Sequence, residues 1–194
     1  MIGLNRTLLI LTAFLGINAA HANDAAYILL YHHVDADTPS STSVTPELFA
    51  EHMEYIDKAR FRVVPLEKLL KTLKNGGRIK PRTLAITFDD AYPSVIKNAF
   101  PVLSHHKFPF TVFANTATID TGTGRYMSWD DLRKLESKRG TIANHGHHHQ
   151  HMVVRQENED FKDWQTRIRG DIEFAQQRLE EELKRPAKLF AYPY

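Results

Sequence analysis

The sequence predicts an α/β domain built around a parallel sheet. Short apolar segments rich in β-branched and aromatic residues alternate with longer segments of helical periodicity over most of the 194 residues. Repeating strand–helix units favour parallel strands with helices packed outside them. The length suits one domain, and we find no internal repeat or linker that divides the chain.

Six short apolar runs predict the strands. Each is bounded by polar residues, Gly or Pro, and the clearest is Thr83–Phe88, whose β-branched and aromatic residues are typical of a buried strand. In chain order, the predicted strands are Ala26–Tyr31, Phe61–Val64, Thr83–Phe88, Phe110–Ala114, Thr141–Ala143 and Lys188–Ala191.

Five helices are predicted between these strands. Thr45 is a suitable N-cap with Pro46 at the first helical position, and Ser128 is a suitable cap for the fourth helix. Pro101 lies inside the third helix, where it predicts a kink or a break. The predicted helices cover 46–59, 66–73, 94–105, a segment that begins at 129, and 160–183.

The first 22 residues have the pattern of a secretory signal peptide. Arg6 supplies a positive charge, residues 8–17 are mostly apolar, and Ala20-His21-Ala22 has the small-x-small pattern of a cleavage site. The apolar run is shorter than the roughly 20 residues of a membrane span, although an uncleaved anchor is the alternative. We therefore expect cleavage after Ala22, a mature domain over 23–194, export to the periplasm or the extracellular space, and no stable membrane span after cleavage.

Composition narrows the possible partners and ligands. The chain has no Cys, so a disulfide is excluded and any metal site must use nitrogen and oxygen ligands. The net charge is only +2, and the charges are mixed along the chain rather than gathered in a basic stripe. Nucleic acid is therefore not an expected partner.

Two carboxylates, Asp89 and Asp90, follow the strand that ends at Phe88. Adjacent carboxylates repel each other, so the pair is costly unless a cation or a proton is shared there. About 55 residues later, the segment from His145 to His151 contains five imidazoles. Since sites in such folds form at the carboxyl ends of strands, these groups are expected to meet, and carboxylate plus histidine is a ligand set of catalytic zinc. The alternatives are that the histidines form an adventitious metal patch and that Asp89 caps the following helix.

Three motifs resemble those of the NodB-type polysaccharide deacetylases, carbohydrate esterase family 4. The first is Thr87-Phe88-Asp89-Asp90-Ala91, in which Ala91 stands where the family has Gly. The second is His145-Gly146-His147-His148-His149, and the third ends in Pro193-Tyr194. Their order and spacing agree with the family over most of the chain that follows the signal peptide.

Two further segments are similar to the branch that deacetylates poly-β-1,6-N-acetylglucosamine. They are Leu30-Tyr31-His32-His33-Val34 and Val63-Val64-Pro65-Leu66. Ala191 occupies the place of an Arg that this branch tends to lack. The resemblance therefore implies a distorted (β/α) barrel and a metal-dependent N-deacetylase. Its substrate would be a polysaccharide or oligosaccharide containing N-acetylglucosamine, from which it would release acetate.

The resemblance also implies roles for individual residues. Asp90, His145 and His149 would bind Zn²⁺ or another divalent transition metal, although His147, His148 and His151 remain alternative ligands. Asp89 would be the general base, and the backbone N–H of Tyr194 would stabilise the oxyanion. Aromatic residues near the motifs would contact the sugar, unless they belong to the core. These candidates are Tyr92, Trp129 and Tyr192, with Tyr126 a further member of the wall.

The family continues beyond the position that matches Tyr194, with further strands and a late His that serves as its general acid. We therefore expect the chain to be the N-terminal portion of the domain, with the barrel incomplete at its C-terminus. Other interpretations are a catalytically silent carbohydrate-binding protein and a deacetylase or esterase that acts on peptidoglycan or acetyl-xylan. A non-functional fragment with an exposed sheet edge is the last alternative.

Overall fold

A computed structural model describes residues 25–194, and the expected signal peptide over 1–22 lies outside them. The strands are β1 Ala26–Tyr31, β2 His33–Val34, β3 Ser43–Val44, β4 Arg62–Val63, β5 Thr83–Phe88, β6 Phe110–Ala114 and β7 Gly140–Asn144. Five of them form a central parallel sheet in the order β1-β5-β6-β7, with β4 also paired to β5. A second, parallel pair is formed by β2 and β3.

Helices follow most strands of this sheet, as the alternating pattern predicts. They are α1 Pro46–Lys58, α2 Leu66–Lys74, α3 Phe100–His106, α4 Thr116–Asp120, α5 Trp129–Glu136 and α6 Phe161–Leu183. The α/β class and the parallel sheet are therefore confirmed. Within residues 25–194, even the 23-residue α6 is too polar to cross a bilayer, and no other helix is suited to do so.

The helix caps follow the sequence closely. The hydroxyl of Thr45 accepts a hydrogen bond from the Leu48 N–H at 3.2 Å, and Pro46 begins α1. At α5, the Ser128 hydroxyl accepts from the Asp131 N–H at 3.1 Å, while the Asp131 carboxylate accepts from the Ser128 N–H at 3.0 Å. This reciprocal pair is a capping box, which fixes where α5 begins.

Pro101 distorts its helix without breaking it. Residues Val95–Ala99 form a π-helical turn, and the N–H of Phe100 donates to the carbonyl of Val95. Proline cannot donate to a carbonyl one turn earlier, and the widened turn before it accommodates this loss. The segment therefore continues as α3 from Phe100 to His106.

Two strand predictions needed correction. The last predicted strand, Lys188–Ala191, is reduced to a single bridge between Phe190 and Asn144, flanked by hydrogen bonds of Asn144 with Leu189 and Ala191. The run Phe61–Val64 is a strand only at Arg62–Val63, where it reaches the start of β5. The length of these two strands is set by how much of a neighbouring strand is available to pair with them, and an apolar run in the sequence does not reveal this.

The core lies on both faces of the sheet, because alternate residues of each strand point to opposite sides. One face packs against α1, α3, α5 and α6, and the smaller opposite face packs against α2. The strand β1 lies at an edge, and three of its side chains are more than half exposed. The fully buried residues of the larger cluster include Phe49, Met53, Phe88, Phe110, Leu103, Leu132, Leu135, Ile142 and Leu179.

Removing the capping box should destabilise the fold measurably. We expect Ser128→Ala to lower the free energy of unfolding by about 1 kcal/mol, because the Asp131 N–H loses its partner at the start of α5. Ser137→Ala is the matched control, since its exposed hydroxyl bonds only to the Lys134 carbonyl after α5 has ended, and it should change stability by less than about 0.5 kcal/mol. Urea denaturation measures both. Equal losses of unfolding free energy in the two variants would show that the Ser128 cap does not specifically stabilise α5.

Candidate metal centre

The site lies where β5, β6 and β7 end. These strands are parallel, so their carboxyl ends share one edge of the sheet, and Asp89, Asn115 and His145 are the first residues beyond them. The backbone holds this edge together, since the Asp89 N–H donates to the Tyr31 carbonyl at 3.0 Å and the His145 N–H donates to the Ala114 carbonyl at 3.1 Å. The parallel sheet therefore brings the carboxylates and the histidines together at one edge, as the sequence predicts.

Asp90, His145 and His149 form a compact group of possible metal ligands. One ligand atom from each lies within 4.8 Å of the others. Oδ1 of Asp90 is 2.9 Å from Nε2 of His149 and 3.6 Å from Nε2 of His145. Tetrahedral zinc with bonds of about 2.0–2.1 Å separates its ligand atoms by roughly 3.3 Å. The two distances from Asp90 Oδ1 to the histidine nitrogens lie on either side of that value, so the donor set fits a divalent transition metal.

His145 is held with one ring nitrogen facing Asp90. Its Nδ1 lies 3.1 Å from the Ala191 carbonyl, which orients the ring and leaves Nε2 toward the carboxylate. A backbone partner on the second nitrogen is usual for a metal-binding histidine. Burial lowers the pKa of His145 and outweighs the opposing charge of Asp90, so the neutral form that binds metals is favoured.

His149 projects from the loop that follows β7. Between residues 145 and 151, two residues lie in the left-handed region, Gly146 with φ +79° and His149 itself with φ +54°. The hydrogen bond with Asp90 raises the pKa of His149, although partial burial opposes this shift. The Tyr194 ring lies edge-on to His149 with ring centroids 4.8 Å apart.

Asp90 receives several contacts on a turn of unusual conformation. Burial opposes ionisation of its carboxylate, but the hydrogen bond and charge of His149 outweigh burial and lower the pKa. The Asn115 amide also donates to Oδ1 at 3.1 Å. Both Asp90 and Ala91 are left-handed, with φ +69° and φ +57°, so Ala91 retains the turn of a glycine at the cost of backbone strain of about 1–3 kcal/mol.

Asp89 lies beside the group without belonging to it. Its Oδ2 is 4.0 Å from Nε2 of His145, and its buried Oδ1 accepts no hydrogen bond from any described residue. Burial and then the Asp90 carboxylate raise the pKa of Asp89 to about 7, while His149 lowers it. The next helical segment begins at Pro93, so Asp89 is not its N-cap.

The other histidines of the loop make contacts elsewhere. Nδ1 of His147 lies 2.7 Å from the Thr116 hydroxyl, and Nδ1 of His148 lies 2.9 Å from the Asp171 carboxylate. His151 stacks on Tyr194 with ring centroids 3.8 Å apart. Among residues 25–194, the only clustered group of potential ligands includes His145 and His149. This arrangement favours those two over the alternatives.

The predicted aromatic residues are spread over different surroundings. Burial and then the Asp90 carboxylate raise the pKa of Tyr92, and its ring stacks on His33 and Tyr126, with centroids 3.6 Å and 5.3 Å away. Trp129 instead donates to Asp120 at 2.9 Å, at the start of α5. Tyr192 is 70% exposed and contacts Phe190. Only Tyr92 among these three has its pKa shifted by Asp90, and a role in sugar binding remains a prediction for each.

Sequence reasoning missed two residues that support the site. The Asn115 amide donates to Asp90. Asp171 of α6 accepts hydrogen bonds from the histidine loop, which is the segment of residues 145–151. A signal for Asp171 was present, since it continues a buried stripe spaced by four residues along α6. The stripe consists of Asp171, Ala175, Leu179 and Leu183. A charged residue in such a stripe indicates a buried partner.

The family of the chain follows from a match to known sequences. The family model described as polysaccharide deacetylase matches residues 76–194, which include Asp89, the three possible metal ligands and Tyr194. The chain belongs to the polysaccharide deacetylase family. The family resemblance of the motifs is thereby confirmed.

Curated relatives of this polysaccharide deacetylase chain come from staphylococci. It is 24% identical over 158 residues to the poly-β-1,6-N-acetyl-D-glucosamine N-deacetylase of Staphylococcus aureus strain MRSA252, covering 78% of this chain and 53% of that protein. It is 23% identical over 192 residues to the protein of the same name from Staphylococcus epidermidis strain ATCC 35984, covering 90% of this chain and 66% of that protein. The chain thus spans between half and two thirds of the length of these relatives.

Solved structures share the fold. IcaB from Ammonifex degensii matches with a TM-score of 0.76 and 24% identity, over 88% of this chain and 75% of that one. The Streptococcus pyogenes deacetylase PplD, solved in complex with acetate, matches with a TM-score of 0.75 and 19% identity, over 87% and 73%. The expected deacetylase-type α/β fold is therefore confirmed.

Proposed function

We propose that this chain carries the metal-dependent N-deacetylase site of an enzyme that hydrolyses acetamido groups of a polysaccharide containing N-acetylglucosamine. The observation that carries the proposal is the group of buried Asp90, buried His145 and partly buried His149, with Asp89 beside it. Membership in the polysaccharide deacetylase family supports the reaction, and the staphylococcal relatives named as poly-β-1,6-N-acetyl-D-glucosamine N-deacetylases support the substrate.

Zinc is the expected ion, because its usual nitrogen and oxygen ligands are those present. Cobalt, nickel or iron would accept the same donor set. When bound, such an ion lowers the pKa of a coordinated water and polarises the acetyl carbonyl. Asp90, His145 and His149 would hold it.

Asp89 is suited to take a proton from the attacking water. Its buried Oδ1 has no hydrogen-bond partner among the described residues, so this oxygen is available to accept one. The water gives a proton to Asp89 as its oxygen adds to the acetyl carbon. The C–N bond then breaks as the amide nitrogen takes up a proton, which balances the one that Asp89 accepted, and the products are acetate and a free amine on the sugar. The backbone N–H of Tyr194 is proposed to stabilise the oxyanion, and the Tyr194 ring lies against His149.

The sugar would reach the metal group past aromatic side chains. The ring of Tyr92 is covered by His33 and Tyr126, so its hydroxyl is the part proposed to contribute to the site. Tyr192 is exposed near the end of the motif that includes Tyr194, and it is proposed to contact the glycan. Trp129 is retained as a third candidate on the sequence pattern alone.

The enzyme is proposed to act outside the cytoplasm. Residues 1–22 have the signal-peptide pattern described above, and a polysaccharide substrate fits a periplasmic or extracellular location. Expression with the intact leader in a secreting host, followed by mass spectrometry of the exported chain, should give Asn23 as the first residue. An exported chain that still begins at Met1 would contradict cleavage.

Acetate release tests the proposed reaction. The zinc-loaded chain is incubated with oligomers of β-1,6-linked N-acetylglucosamine, and acetate is measured by a coupled enzymatic assay. We expect release that disappears with a chelator and returns with added zinc. Glycan binding without acetate would instead indicate a silent binding protein. Acetate release only from peptidoglycan or acetyl-xylan would reassign the substrate. In a separate measurement, a broad non-cooperative unfolding transition would support the alternative that the chain is a non-functional fragment.

A further inference from the structure

Asp171 is a buried carboxylate that the proposed reaction does not use. It lies on α6, 21 to 24 residues along the chain from the loop residues that it contacts, and its side chain is only 2% exposed. A charged group in such a place is costly unless hydrogen bonds compensate for the lost water. The hydrogen-bond partners of the Asp171 carboxylate all belong to the loop that carries His149.

Four N–H groups of the loop point at this one carboxylate. Oδ2 accepts from the His147 backbone N–H at 2.7 Å. Oδ1 accepts from the His148 backbone N–H at 3.0 Å and from the Gln150 amide at 2.8 Å, and it lies 2.9 Å from Nδ1 of His148. These bonds outweigh burial, the largest opposing effect, and hold the pKa of Asp171 below its ordinary range.

The same loop is held by its carbonyls from the other side. The N–H groups of Thr116 and Ala117, in the first turn of α4, donate to the carbonyls of Gly146 and His147 at 3.3 Å and 3.0 Å. Because β7 ends at Asn144, no sheet pairing fixes His149. The backbone around His149 is therefore held from two sides. Its N–H groups donate to Asp171 of α6, and its carbonyls accept from the N–H groups of α4.

Gly146 shows how closely the carboxylate packs. A Cβ added there would lie 2.8 Å from Oδ2 of Asp171 and 3.1 Å from Cε of Met152. The loop can pass Asp171 only because this position has no side chain, and its φ of +79° also favours glycine.

We infer that Asp171 is a positioning residue that fixes the backbone of residues 147–150, so that His149 faces Asp90 and the proposed ion is bound tightly. The inference rests on the proposed function, because it concerns the geometry of the same metal group. Asp171 acts only through the loop, since its hydrogen bonds go to His147, His148 and Gln150.

The test is zinc affinity, measured by competition with a chromophoric chelator on the full chain. Asn in place of Asp171 would keep an oxygen at the Oδ1 position but turn an NH₂ toward the His147 N–H. We expect Asp171→Asn to weaken zinc binding about 10–100-fold, the usual range for partners that orient metal ligands. Asp120→Asn is the matched control, because Asp120 accepts from Trp129 and Arg178 and makes no bond to the loop.

Gly146→Ala provides a second variant that leaves Asp171 in place. Gly76→Ala is its control, since Gly76 is also left-handed, at φ +65°, but an added Cβ meets nothing within 4 Å. Both variants bear similar backbone strain, and only Gly146→Ala should weaken zinc binding. This comparison stands even where Asp171→Asn does not fold.

The outcomes separate the two proposals. Wild-type zinc affinity in either folded variant, Asp171→Asn or Gly146→Ala, would overturn the positioning role while leaving the metal site intact. Equal weakening in each variant and its control would also overturn it, because the effect would then be general destabilisation. A wild-type chain that binds no zinc would instead overturn the proposed function itself. The absorption spectrum of the cobalt-loaded chain adds a direct readout, since a displaced His149 changes the coordination geometry.

Discussion

Replacing Asp90 with alanine is expected to abolish tight zinc binding. Asp90 supplies the oxygen that lies 2.9 Å from His149 and 3.6 Å from His145, so it is the shared neighbour of both imidazoles. Loss of a partner that merely orients a ligand typically weakens metal affinity 10–100-fold, so loss of the ligand itself should exceed about 100-fold. Stoichiometry and affinity are measured by isothermal titration with zinc.

His147→Ala is the matched control for this experiment. His147 belongs to the same histidine run, but its Nδ1 contacts Thr116 rather than the metal group. We expect it to keep one tightly bound zinc per chain. Weak binding of several ions, unchanged by Asp90→Ala, would show that the histidines form an adventitious patch. The metal-dependent reaction would then have no basis in this chain.

Asp89→Asn is expected to lower kcat for acetate release by about 10²–10⁴-fold, the usual contribution of a general base. The amide has nearly the same shape as the carboxylate but cannot take the proton of the attacking water. Zinc affinity should stay within a few-fold of wild type, because Asp89 lies outside the group of three ligands. KM should also change little, since the substitution removes a proton acceptor rather than a binding surface.

A parallel substitution controls for electrostatics. Asp131→Asn removes another carboxylate, but this one belongs to the capping box of α5, and it should leave kcat unchanged. The base assignment fails where Asp89→Asn releases acetate at the wild-type rate with zinc bound. It also fails where the loss of rate is matched by a loss of zinc, because Asp89 would then act through the metal.

The sequence predicted those elements whose physics is local. The strand Thr83–Phe88 was placed to the residue, because its buried, β-branched and aromatic character extends over its whole length. The helix start at Thr45 was placed equally well, since a cap, a proline and an acidic residue occur in order. Strands β2 and β3 were missed because two residues are too few to show any periodicity.

The site was predicted only in part, because some of its residues follow predicted strands while others reach it from distant parts of the chain. Asp89, Asp90 and His145 follow strands, so the topology of a parallel sheet was enough to bring them together. The choice of His149 within the histidine run came from the family motif rather than from spacing. Asn115 and Asp171 bond to the site from distant parts of the chain, and no local pattern specifies which loop a helix residue will reach.

Strands β5 and β7, which precede Asp90 and His145, are not neighbours, because β6 lies between them. Asp90 and His145 therefore meet only after three strands have paired in order, and an unfolded chain has no preformed site. A cation that binds the native state alone stabilises it by mass action, by about 2.7 kcal/mol at a free concentration 100 times Kd. Weak binding of the ion to the histidine run of the unfolded chain would reduce this gain. The melting temperature should thus rise with free zinc, which makes thermal stability a reporter of sheet assembly as well as of the site.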